Sequence, residues 1–187
     1  MNNGEVLSDV LAPGLAAVFV GTAVGTTSAI RQAYYAGPGN KFWRILAETG
    51  FTPRRLRPQD YREILKFGFG LTDVVKDQFG PDNALQRTTG SGVDLRERLL
   101  AISPTWIAFN GKTAARWALG RRRVDYGEQP ERWGSSRLFV LPSTSGAANG
   151  YWDEDVWRRF AEQACRSIPH CQRPREHGAP KDPCCGL

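Results

Sequence analysis

Apolar positions along the chain fall into short solid runs, separated by stretches in which they recur every three or four residues. The solid runs are 16–20 (Ala-Ala-Val-Phe-Val), 105–109 (Thr-Trp-Ile-Ala-Phe) and 137–141 (Arg-Leu-Phe-Val-Leu). Each is bounded by turn residues and reads as a buried strand. Between them, residues 40–49 carry apolar side chains at 42, 43, 45 and 46 and close on Gly50, which predicts a helix. Pro58 suits the first turn of a helix over 58–66, with Tyr61, Ile64 and Leu65 on its inner face. Residues 68–73 read as a turn or short strand entering a helix, and residues 93–101, 112–119 and 153–165 read as helices. Strands alternating with helices predict an α/β sandwich on a mainly parallel sheet. In such sheets ligands sit beyond the carboxyl ends of the strands, where three loops fall: 21–28, 110–113 and 142–149.

The length of 187 residues suits one domain, here 1–166. Residues 167–187 hold Pro, Arg, Gly and Cys without apolar period and read as a disordered basic tail. No window is apolar enough to cross a membrane, and the first residues lack a signal-peptide pattern, so a cytoplasmic protein with no membrane partner is expected; a monomer is expected as well. The net charge of +6 favours a polyanionic partner, although many basic proteins bind no nucleic acid.

Chemistry concentrates in the loops. The first, Gly21 to Ala29, places glycines after a strand and free N–H groups at a helix start, a setting for an anion or a carbonyl. It lacks the lysine of a phosphate-binding P-loop. A tight strand-to-helix turn is the plainer reading. Tyr34 and Tyr35 stand in a Gly/Pro-rich stretch. Tyr35 is the better stacking candidate, where a base gains roughly 1–3 kcal/mol, while Phe42 and Trp43 read as core. Asn40 is placed to cap the next helix. In the 142–149 loop, small hydroxyl residues and glycines let a backbone press against a phosphate chain, as a plain surface loop also would.

Several blocks resemble the mismatch-specific uracil/thymine-DNA glycosylase family. They are Leu11-Ala12-Pro13-Gly14, Gly21-Thr22-x-x-Gly25 with Ser28-Ala29, Asn40-Lys41-Phe42-Trp43, Gly50-Phe51-Thr52-Pro53, Leu56-x-Pro58, Gly70-Leu71-Thr72, Phe109-Asn110-Gly111-Lys112 and Leu141-Pro142-x-x-Ser145-Gly146. Order and spacing hold over about residues 10–165. The resemblance implies the uracil-DNA glycosylase superfamily fold, a three-layer α/β/α sandwich with a short, mainly parallel sheet. It also implies base excision repair on DNA, by a monofunctional enzyme without cofactor or metal.

One departure stands out. The family's first loop reads Gly-Ile-Asn-Pro-Gly, and its asparagine positions the attacking water. Here Ala23 and Val24 replace the asparagine and proline. Asp73, in Gly70-Leu71-Thr72-Asp73, is the best replacement, because a carboxylate stabilises a developing sugar cation and can accept a proton from water. A variant branch similar to this sequence carries the same Gly-Leu-Thr-Asp. The plainer reading of Asp73 is charge compensation at a helix N-terminus, and Asp77 and Asp82 are fallback carboxylates.

Asn110 is the base-reading candidate, since an amide both donates and accepts; otherwise it caps the helix near Lys112. The backbone near Thr22 and Ala23 is expected to hold the base edge, with Tyr35 stacked on it. Ser28, Lys41, Ser143, Ser145, Gly146, Ala147 and Asn149 are the expected DNA contacts, with Arg31 a further basic candidate. Ala147 stands at a wedge position that is usually larger. The flipped-out base implied by the resemblance is uracil. Alternatives are a glycosylase for deaminated purines such as xanthine or hypoxanthine, and a non-catalytic single-strand DNA binder. Cys165, His170, Cys171, His177, Cys184 and Cys185 match zinc-site spacing poorly.

Overall fold

The computed structural model describes residues 4–86 and 90–167. Residues 168–187, with Cys171, Cys184 and Cys185, therefore lie outside the described residues; Cys165 packs beside the core at the end of the last helix. Five strands form one sheet: β1 (Ala17–Gly21), β2 (Phe69–Asp73), β3 (Trp106–Asn110), β4 (Gly127–Trp133) and β5 (Ser136–Leu141), in the order β2-β1-β3-β5-β4. All pairs are parallel except β4 with β5. The helices are α1 (Thr26–Arg31), α2 (Phe42–Glu48), α3 (Ser91–Ile102), α4 (Lys112–Leu119) and α5 (Glu154–Ala164). The expected α/β sandwich with a short, mainly parallel sheet is what the chain forms.

Strand periodicity sets the layers. Ala17 and Phe19 of β1, Trp106 and Ala108 of β3, and Phe139 and Leu141 of β5 point to one face, against α2 and α5. Val18 and Val20, Ile107 and Phe109, and Leu138 and Val140 point to the other, against α3 and α4. Because both faces are covered, the parallel strands are apolar throughout, which is why they read as solid runs. Phe19 is the hub of the first layer: Phe42, Phe51 and Phe160 meet its ring edge-on at centroid distances of 5.3, 5.6 and 6.1 Å. Truncating such a residue costs about 3–5 kcal/mol.

Two expectations are corrected. Asp73 does not enter a helix. The N–H groups of Val74, Val75 and Gly80 donate instead to the carbonyls of Gly21, Thr22 and Val24 (all 2.9 Å), so segment 74–80 is laced to the first loop. The second correction is β4, which the apolar pattern does not reveal. It is a charged edge strand, Gly-Glu-Gln-Pro-Glu-Arg-Trp, with only Gln129 and Trp133 buried and an irregularity between Glu128 and Arg132. Pro130 and exposed charges are how sheet edges avoid further pairing. The predicted helix at 58–66 is instead two short 3₁₀ turns within Pro58–Phe67, separated by a kink at Asp60, with Pro58 in the first turn and Tyr61 and Ile64 buried.

Candidate active site

The chain leaves β1 toward β2 on one side, while β3 lies on the other, so the strand order switches direction at β1. The crevice beyond the carboxyl ends of β1 and β3 is therefore the ligand position of this fold. Register fixes what lines it. Asp73 pairs with Gly21, and Asn110 follows Phe109, which pairs with Val20. By alternation from Phe69 and Leu71, from Ala17 and Phe19, and from Trp106 and Ala108, these three residues face the same layer. Asp73, Gly21 and Asn110 thus form a row across three strands, on the side of α2 and Tyr35.

Gly21 is the gap in this row. A Cβ there would lie 2.3 Å from Asp73 Oδ1 and 3.5 Å from the Tyr35 hydroxyl. Its lack of a side chain admits both groups. Tyr35 takes a left-handed backbone (φ 54°), and the next N–H, that of Ala36, donates to Ser28 Oγ at 2.9 Å. Ser28 is buried, so its hydroxyl fixes the tyrosine turn on α1 and does not face solvent. The Tyr35 ring stacks on Phe42 at 3.8 Å between centroids, and its hydroxyl is buried without a hydrogen-bond partner. Tyr34, Phe42 and Trp43 are core.

Asp73 is 2% exposed, and its Oδ2 is buried with no hydrogen-bond partner. Burial pushes its carboxyl up from 3.8 to about 7, against the pull of Lys76 and Arg98, with Asp9 adding to the rise. Burial and the nearby Asp73 also push the Tyr35 hydroxyl up, so it remains a donor at neutral pH. Two buried polar atoms without partners in one crevice call for an explanation, and a ligand or water is the ordinary one. The sequence fallbacks do not share this setting: Asp77 and Asp82 are exposed. Charge compensation of a helix falls away as well, because no helix begins at Asp73.

Asn110 is 7% exposed and does not cap α4, whose N-cap is Gly111 without a side-chain bond. Its amide pairs with Thr144 at two points. Asn110 Nδ2 donates to Thr144 Oγ1 at 2.9 Å, and Thr144 N donates to Asn110 Oδ1 at 3.0 Å. This pair of hydrogen bonds fixes the amide orientation; the remaining N–H and lone pair lie beside the Tyr35 hydroxyl, whose pKa the amide lowers, although the two make no well-formed bond. Thr144 escaped the sequence reading; only its place beyond β5 hinted at it.

In the first loop, Thr22 and Val24 are buried and Ala23 packs against the α3/α4 layer. The Ala23 and Val24 side chains therefore serve packing. The 142–149 loop is tied down by its own hydroxyls. Ser143 Oγ accepts from Ser145 N and Ser145 Oγ from Ala147 N, both at 3.3 Å. The Lys41 N–H donates to Thr144 O at 2.9 Å, and its ammonium reaches Asn149 Oδ1 and lies 5.1 Å from the Trp152 ring centre. Gly146 lies against Pro38 and Gly39, while Ala147, Asn149 and Tyr151 are exposed. The predicted Asn40 contact exists one residue before the cap, with Asn40 Oδ1 accepting from Phe42 N at 3.0 Å. Arg31 is exposed.

No cluster of three or more His, Cys, Asp or Glu suited to a metal occurs among the described residues. No helix among them is long and apolar enough to cross a membrane.

An α/β sandwich with a desolvated carboxylate and an oriented amide at its switch point defines, together with the family comparison, a DNA glycosylase. Residues 8–163 match the Uracil DNA glycosylase superfamily, and the chain belongs to it. Among solved structures, the chain is similar to the solution structure of a candidate uracil DNA glycosylase from Methanosarcina acetivorans. The two share 22% identity over 84% of this chain and 96% of that one, with a TM-score of 0.57. At that identity the likeness speaks for the fold.

Proposed function

We propose that the chain is a monofunctional uracil-DNA glycosylase of the mismatch-specific branch, and that Asp73 carries its chemistry. The buried Asp73 carboxylate, with Oδ1 against the Gly21 gap and Oδ2 without a hydrogen-bond partner, is the observation that supports this reading most strongly. DNA is held by the Lys41 side and by the 142–149 loop, through Ser143, Ser145, Gly146, Ala147 and Asn149. Uracil, opposite guanine or in a related lesion, flips into the crevice. Tyr35 lies along the base, the backbone at Thr22 and Ala23 meets its edge, and the free half of the Asn110 amide pairs with O4 and N3–H.

The C1′–N1 bond then breaks and its electron pair leaves with the base. Ionised Asp73 stabilises the positive charge that develops on the sugar. It orients a water, whose oxygen bonds to C1′ and whose proton passes to the carboxylate. The base leaves as its N1 anion and becomes free uracil by taking up a proton from solvent or from protonated Asp73, which returns to its ionised form; the other product is the abasic sugar. Strand cleavage is not part of this scheme. Lys76, the lysine beside the site, has its ammonium bonded to Asp9 Oδ1 and Leu7 O at 2.6 Å each.

The test is a set of otherwise identical oligonucleotides carrying uracil, thymine opposite guanine, hypoxanthine or xanthine, each single- and double-stranded. The expected result is release of uracil without strand scission, lost in Asp73→Asn. Preferential release of hypoxanthine or xanthine would move the assignment to deaminated purines. Tight binding without release of any base would move it to a non-catalytic single-strand binder.

A further inference from the structure

Behind Asp73 lies a cluster of charges that the scheme above does not use. Alternation along β2 turns Thr72 to the α3 side, opposite Asp73. There Thr72 Oγ1 donates to Asp9 Oδ1 at 2.6 Å and accepts from Arg98 Nη1 at 2.8 Å. Lys76 Nζ donates to the same Asp9 oxygen at 2.6 Å, and Arg98 Nη1 donates to Asp9 Oδ2. Arg98 also donates to Asp73, through the main-chain carbonyl at 3.2 Å. Lys76 also lies 3.4 Å from the Tyr34 hydroxyl. The segment carrying Asp9 is fixed by a two-bond bridge between Val10 and Leu71 (2.9 Å each) and by Val6 N on Lys76 O at 2.8 Å.

Two cations therefore lie within electrostatic reach of a desolvated carboxylate, one of them bonded to its main chain, while both are bonded to a different carboxylate. We propose that Asp9 is a positioning residue: it holds Lys76 and Arg98 off the Asp73 carboxylate, which stays charge-compensated at a distance but unpaired and open to the reacting sugar. The catalytic half of this inference rests on the glycosylase reading; the electrostatic half does not.

The physical argument concerns contact against distance. A carboxylate in direct contact with a guanidinium or ammonium has its charge committed to that partner and is a poorer stabiliser of a sugar cation. A desolvated carboxylate with no cation nearby stays protonated to higher pH. Asp9 (one negative charge), Lys76 and Arg98 (two positive) and ionised Asp73 sum to zero. That balance ionises Asp73 without a contact pair. Asp9 itself fits the role. Burial alone would raise its carboxyl, yet Lys76 and Arg98 hold it below its ordinary value. The remaining groups facing Asp73, Tyr34 and Tyr35, are neutral phenols raised further by burial; the Tyr34 hydroxyl bonds to the Asp73 carboxyl and favours its ionised form, so Asp73 is unpaired with respect to cations only.

The experiment follows the Asp73 carboxyl by carbon-13 NMR, assigned by its absence in Asp73→Asn. Wild type, Asp9→Asn, Lys76→Met and the Asp9→Asn/Lys76→Met double variant are titrated, with single-turnover excision of uracil measured at about pH 8 alongside. Asp9→Asn frees both cations, so the Asp73 midpoint falls by about one pH unit or more. Excision at about pH 8 falls about tenfold or more, although Asp73 is ionised in both proteins. Lys76→Met removes a cation and moves the midpoint up. The double variant, with one cation and no Asp9, returns toward wild type in both readouts.

An unchanged or raised midpoint in Asp9→Asn, or no rise in Lys76→Met, overturns the proposal. If Asp9→Asn does not fold, Asp9→Ser is titrated in its place, with the same fall expected and an unchanged or raised midpoint overturning the proposal. The titration needs no turnover. Shifts of the expected sign in a protein that excises nothing would leave the electrostatic role standing and remove the glycosylase reading.

Discussion

Replacing Asp73 with asparagine should make the protein more stable at alkaline pH while ending its chemistry. The magnitude follows from the carboxyl's displacement from 3.8 in the unfolded chain to about 7 in the fold. At about 1.36 kcal/mol per pH unit, ionised Asp73 costs the folded state about 4 kcal/mol above neutrality. The folded pKa is the higher one, so the folded state holds this proton between about pH 4 and 7 while the unfolded chain has released it. Stability from this group therefore declines as pH rises across that window and levels off above it.

Asparagine removes the charge but puts an amide donor where Oδ2 has no partner, at about 1–3 kcal/mol. The net gain expected at about pH 8 is about 1–3 kcal/mol, or roughly 2–10 °C in melting temperature for a domain of this size. Near pH 4.5 wild-type Asp73 is protonated, so the gain vanishes or reverses. Denaturant unfolding of both proteins at the two pH values is the assay. A variant less stable than wild type at pH 8, or a difference that does not shrink toward acid, would refute the claim that Asp73 is ionised at a cost.

Three further outcomes follow from the same geometry. Single-turnover excision should rise with pH through about 7, because the ionised carboxylate is the active form; a midpoint below about 5 would contradict it. Gly21→Ala places a methyl carbon 2.3 Å from Asp73 Oδ1, and a displacement of this size costs about 100-fold in excision with the fold retained by circular dichroism. Unaltered rates would mean that the Gly21–Asp73 contact is unimportant. Tyr35→Phe deletes a buried hydroxyl with no well-formed hydrogen bond, so the melting temperature should hold or rise, while the ring that lies along the base is kept. A loss of about 1–3 kcal/mol in stability would show that the hydroxyl is satisfied in the free protein.

Much of this was legible in the chain because local chemistry decides it. The buried parallel strands are apolar on both faces, so β1, β3 and β5 stand out. Asp73 and Asn110 were readable as strand-end polar residues in recognisable blocks. The unreadable features depend on partners distant in sequence. Strand β4 looks like a loop because an edge strand needs only β5 beside it. Segment 74–80 has helical-looking residues, but the first loop offers carbonyls fifty residues away, and those bonds win. The Asp9–Arg98 pair joins positions 89 apart, and nothing in either neighbourhood marks it. Gly21 reads as a turn residue, whereas its register opposite Asp73 makes it the floor of the site.

The most direct test of the account is a crystal structure of the protein with free uracil and DNA carrying a cationic sugar mimic at the abasic position. The account predicts an Asp73 carboxylate oxygen within about 3–3.5 Å of the atom standing for C1′ or of a water aligned with it, and uracil held by the free half of the Asn110 amide. A sugar ring bound beyond reach of Asp73, with the water held by another group, would contradict it.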